Sequence, residues 1–300
     1  MKIFRQLLLI ISGFILISVL PVLFYGGGKS ELFYLMMDGK GNSFGFYPKE
    51  YLLGVYHVFT GVFQQDQWVL FVFNKEYPLQ EVVVERYVYS MKVFLFSLGL
   101  AVVTAFLVSL IISLTSKWIQ RAVLSLVNIL ESLPDVFIII GVQLSVVVYF
   151  RHTGVLIGEI AMMDEELYLL PVTCLTIVPA VFLIKTIVLL LKEEEQKPYI
   201  ELANGKGLNP LQVLVIHSFR NVVYSLFYRS KVIFSFMLSN LFILERLFNM
   251  RGIMDLLIWS SGLSFVLIST IIFLPFYLVF TVIEVRLKRS IGLKEDGTYA

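Results

Sequence analysis

Long apolar runs separated by short polar breaks set the pattern of this chain. Six of the runs approach the roughly 20 residues that a bilayer core requires. They predict spanning helices over Leu7–Tyr25, Val93–Leu114, Ala122–Phe150, Tyr168–Leu191, Val222–Leu244 and Ser264–Val285. The third run is long and carries Glu131, Pro134 and Asp135, so its first turns are expected at an interface and Pro134 is expected to bend it. Lys2 and Arg5 precede the first run, as in a secretory signal. The run is longer than a usual signal core and no small-residue cleavage site follows, so an uncleaved anchor is expected.

The pattern predicts an all-α integral membrane protein. Its expected organisation is an anchor helix over 1–25, an extracytoplasmic segment over 26–92, a five-helix core over 93–285 and a tail over 286–300. Within the outer segment, "PKEYLLGVYHVFTGVF" opens with Pro48, a residue suited to a first helical turn. Its Leu52, Val55, Tyr56, Phe59 and Phe63 recur at helical spacing. "WVLFVF" is too short to span. Both stretches are expected to pack on the outer face or lie in the membrane interface.

Composition agrees: 58% of residues are hydrophobic and 15% charged, against about a quarter charged in soluble domains. Charge placement orients the chain. With the N-terminus inside, thirteen Lys and Arg fall in inner segments and three in short outer loops. Both termini are therefore expected in the cytoplasm. The net charge of +2 and the lack of a basic stripe argue against nucleic acid. One cysteine and three scattered histidines give no disulfide and no metal-ligand spacing.

Three polar features could carry chemistry. "GGGKS" over Gly26–Ser30 resembles the end of a phosphate-binding loop, but Leu23 stands where its first glycine is required, so no ATP site is expected here. "KEEEQKP" over Lys192–Pro198 reads as a solvated loop rather than a catalytic carboxylate pair. The third is "ELANGKGLNPLQVLVIHSFRN" over Glu201–Asn221. Pro198 can start a short helix there, and Gly205 or Gly207 can end it in the left-handed conformation. Asn209-Pro210 can open a second helix. The result is a small hairpin on the cytoplasmic side, with Ile200 and Leu202 offering apolar contact and Ala203 and Gly207 allowing close approach. An ordinary interhelical loop explains these residues equally well.

Glu201-Leu202-Ala203, then three residues and Gly207, resembles the EAA loop of ATP-binding-cassette importer permeases. The surrounding wording is similar to the oligopeptide, dipeptide and nickel permease branch. "ESLPD" at Glu131–Asp135, "YLLPVTCLTIVPA" at Tyr168–Ala180 and "ILERLFNMRGI" at Ile243–Ile253 resemble that branch in the same order. Leu202 replaces the family's first alanine, and Ser225 stands where a proline is expected.

The resemblance implies that Glu201, Leu202, Ala203, Gly205 and Gly207 receive motion from a separate ATPase. It implies a second, homologous permease subunit forming a heterodimer, two cytosolic ATPase subunits holding ATP and magnesium, and an external substrate-binding protein. The chain itself would need no cofactor and would do no covalent chemistry, working by alternating access in the lipid of a prokaryotic cell membrane. Arg229 and Lys231 fall inside the fifth run, where a buried cation costs at least a few kcal/mol. They either snorkel to the inner interface or line the pathway together with Glu245; in the second case they favour anionic groups such as a peptide carboxylate. A secondary transporter or channel is the alternative, but no inverted repeat supports it.

Overall fold

A computed structural model of the chain describes residues 2–25, 45–64, 68–72, 75–155 and 166–290. The glycine-rich stretch at 26–30 and the last ten residues lie outside them. Helices make up most of the described chain. They divide into two compact units, one of 1–88 with 252–300 and one of 89–251.

In the first unit the anchor is two helices, α1 (Lys2–Ser18) and α2 (Leu20–Tyr25), parted at Val19. Pro21 has no N–H to give to the carbonyl of residue 17, which interrupts the ladder at this point. Helix α3 (Pro48–Gly61) begins with Pro48 in its first turn. It packs through Tyr51, Val55, Val58 and Val62 onto Ile15, Val19 and Val266. Of the five apolar positions expected to share a face, Leu52, Tyr56, Phe59 and Phe63 are exposed and Val55 packs inward. The backbone of α3 comes close to the α1–α2 break at Gly54, where an added Cβ would lie 2.5 Å from Val19 Cγ1.

A two-stranded antiparallel hairpin, β1 (Val69–Val72) with β2 (Lys75–Pro78), accompanies the helices of this mostly helical chain. Most of "WVLFVF" is thus a paired strand. Helix α4 (Leu79–Leu114) starts in this unit, well before the expected Val93. Helices α11 (Ile253–Trp259) and α12 (Gly262–Ser290) complete it. Within it, Arg86 pairs with Asp255 at 3.7 Å and the Ser264 hydroxyl donates to the Val69 carbonyl at 2.9 Å.

The second unit is built around α7 (Leu169–Glu195), whose apolar stretch is 72% buried. The rest of α4 reaches α7 through small residues one turn apart: Ser97, Ala101, Ala105 and Ser109 are fully buried. The Ser97 and Ser109 hydroxyls donate to the Val172 and Ile184 carbonyls at 3.2 and 3.4 Å. Small side chains let helix backbones approach, and hydroxyls then bond across the gap.

The third predicted span is two helices, α5 (Lys117–Ser132) and α6 (Asp135–Thr153). Leu133 between them is extended, with ψ 135°, as the residue before a proline tends to be. Pro134 therefore ends one helix and caps the next instead of bending a single one. Among the described residues, four helices are long and apolar enough to cross a membrane: α4, α6, α7 and α12. The segment after the hairpin at 198–207, ending in α10 (Phe219–Leu247), reaches that standard only as a bent pair.

Candidate functional site

The stretch after α7 folds as a helical hairpin. Helix α8 (Pro198–Gly205) has Pro198 in its first turn and Glu201 near its positive end, a favourable place for a carboxylate. Gly207 adopts φ +76°. Its N–H bonds to the Asn204 carbonyl at 2.9 Å and that of Leu208 to the Ala203 carbonyl at 3.4 Å, the pairing of a glycine-terminated helix. The Asn209 side chain then accepts the Leu211 N–H at 3.2 Å and opens α9 (Pro210–Gln212). A π-helical turn over Val213–Ser218 leads into α10.

The two faces of α8 differ. Ile200 and Ala203 are buried against Val213, with Tyr199 beside them. They hold the hairpin together. Leu202 is 61% exposed and Leu208 and Leu211 are also open, as are Glu201, Gly205, Lys206 and Gly207. The surface offered outward is thus Leu202 and Leu208 flanked by one acid and one base, while Ile200 and Ala203 serve packing.

Glu194 corrects the reading of the acidic run as a solvated loop. Glu193 and Glu195 are exposed, but Glu194 is buried at the end of α7. Its carboxylate accepts hydrogen bonds from Lys197 Nζ, the Tyr199 hydroxyl and, at 3.3 Å, Asn221 Nδ2. Asn221 Nδ2 also donates to the Tyr199 oxygen at 2.9 Å. The hydrogen bond to Glu194 raises the Lys197 pKa above its ordinary value. Burial, and then the bond to Glu194, raises that of Tyr199. The spacing of Glu194 and Lys197, three apart across a helix end, was the available signal.

Arg229 and Lys231 are exposed on α10, so neither points into the core of its own unit. Glu245 is the opposite: it is fully buried and accepts the Ser90 hydroxyl at 2.6 Å. A cavity of about 270 Å³ lies between α5, α6, α7 and α10, bounded by Glu131, Asp135, Pro179, Phe182, Val232, Ile233 and Phe236. Glu131 at its edge is ion-paired with Lys185 of α7. Among the described residues no three His, Cys, Asp or Glu side chains are grouped to hold a metal.

Apolar helices of spanning length, small-residue packing and buried, paired ionisable groups define a multi-pass helical membrane protein. No protein-family model matches the chain. Over 213 residues it is 24% identical to proteins of Brucella abortus, Brucella suis and Brucella melitensis, the alignment covering 66% of this chain and 67% of each relative. Those proteins bear the name peptide transport system permease protein.

Proposed function

We propose that the chain is a membrane-spanning permease subunit of an ATP-binding-cassette importer for peptides or a related small solute, in the plasma membrane of a prokaryote. The observation that carries this is the similarity to peptide transport permeases over two thirds of the relatives' length. The exposed helical hairpin at 198–207 agrees with it. In this reading α1 with α2, α4, α5 with α6, α7, α10 and α12 form six spans, and both termini are cytoplasmic. The hairpin is then the coupling element, with Glu201, Leu202, Gly205 and Gly207 meeting a separate ATPase and Ala203 supporting them from beneath. A homologous permease subunit pairs with the chain across the pathway, and an external binding protein delivers the solute. ATP and magnesium stay on the ATPase subunits.

Closure of the ATPases would push the hairpin, and α7 and α10 would carry that displacement toward the pathway. Arg229 and Lys231, exposed on α10, would snorkel to the inner interface or line the pathway with Glu245.

The test is purification of the tagged chain from its host, followed by reconstitution. ATPase subunits should co-purify, and uptake should require ATP and the binding protein. Uptake driven by an ion gradient in ATP-free vesicles would overturn the reading in favour of a secondary carrier.

A further inference from the structure

We infer that Glu194 is a positioning residue, which locks the hairpin to α7 and α10 so that all three move as one piece. The inference rests on the hairpin being the ATPase-docking element.

The hairpin joins its neighbours through two short connectors. One is Gln196-Lys197 and the other is Gly207-Leu208-Asn209, with Gly207 in the left-handed region. A rod held only by two such joints would pivot when pushed, and its displacement would be lost at the joints. The buried apolar patch of Ile200, Ala203 and Val213 ties α8 to the π-helical turn that follows. Glu194 adds a polar tie from α7 to both α8 and α10.

Its carboxylate, on the last turn of α7, takes donors from Lys197 and Tyr199 at the start of α8 and from Asn221 on α10. Asn221 closes the ring by donating to Tyr199. These bonds join three helices at one carboxylate. Charge-assisted bonds to a buried carboxylate are roughly twice as strong as neutral ones. They are also directional, which fixes the angle between the helices as well as their contact. The adjacent Glu193 and Glu195 are exposed. They share its charge and its place in the sequence and provide internal controls.

Two measurements on one set of variants decide the matter. Spin labels on Asn204→Cys and Val223→Cys, both exposed positions, report the hairpin's placement on α10 in a Cys174→Ala background. ATP hydrolysis by the reconstituted complex, with and without solute and binding protein, reports coupling. The parent and Glu193→Gln should give one narrow distance. Glu194→Ala, and the milder pair Tyr199→Phe with Asn221→Ala, should lose it. In the same variants solute-stimulated hydrolysis should fall about tenfold, the equivalent of one such bond, with ATPase binding retained.

A narrow distance in the milder pair, or lost coupling with the narrow distance kept, overturns the inference. If the parent chain binds no ATPase at all, the docking reading fails instead, and the spin-label arm still shows whether Glu194 sets the hairpin's angle.

Discussion

Two glycines of the hairpin share a motif and differ in what their backbones require. Gly207 sits at φ +76°, yet an added Cβ there meets nothing within 4 Å. Its need is therefore conformational rather than steric. Gly207→Ala should destabilise the hairpin by about 1–2 kcal/mol, and Gly207→Asn by less, since asparagine tolerates the left-handed region. Gly205 ends α8 without positive φ and with equally open space. Gly205→Ala should leave the hairpin intact or strengthen it by up to ~1 kcal/mol. Proteolysis at the hairpin, read as a rate for each variant, ranks them; equal sensitivity of the two alanine variants would contradict the conformational account. Lys197 behaves differently with pH. Its pKa is raised in the folded chain, so its contribution is complete at neutral pH and disappears only as pH climbs past the ordinary lysine value of 10.5. The clasp around Glu194 should thus hold across the physiological range.

At the scale of elements, prolines show what sequence pattern could and could not settle. Pro48 and Pro198 begin helices, as their local chemistry requires. Pro134 and Pro21 separate helices, while Pro179 and Pro275 ride inside unbroken ones. A first-turn proline gives up no helical bond, whereas an interior one frees a carbonyl. Whether the helix continues depends on how neighbours satisfy the freed carbonyl, and no periodicity records that. The same limit hid the inward face of α3. Leu52, Tyr56 and Phe59 point outward and Gly54 packs inward, because the neighbouring break at Val19 leaves room only for a glycine. Gly54→Ala should lower thermal stability by about 1–3 kcal/mol through overpacking. Val19→Ala placed beside it should recover part of the loss. Additive effects in that double-mutant cycle would mean the two residues do not share a contact. The hairpin at 198–207, by contrast, was legible because it is local: a proline start, a glycine stop and an Asn-Pro restart act within a few residues. The Glu194 ring was not, since Asn221 lies 27 positions away.

Over the whole molecule, charge asymmetry and hydropathy carried the class, and they carry a test. If both termini and the hairpin are cytoplasmic, Lys206→Cys should react only with reagents admitted to the cytosol, and Lys49→Cys only from outside. Both side chains are exposed, so access is decided by the membrane. Labelling of Lys206→Cys by an impermeant reagent in intact cells would invert the topology. The number of spans was harder to read than their presence. Pattern alone joins runs across Val19 and across Leu133-Pro134, whereas the backbone divides them.

The ion pair between Lys185 and Glu131 has a consequence for how the chain is made. A lone lysine within an apolar helix costs up to about 2.5–3.5 kcal/mol to insert, the figure for the helix centre. Glu131 is 54 residues earlier and so leaves the ribosome first. By the time the helix bearing Lys185 reaches the membrane, its counter-charge is already there. Order of synthesis, and not only final packing, thereby becomes a condition for placing α7, the helix around which the second unit is assembled.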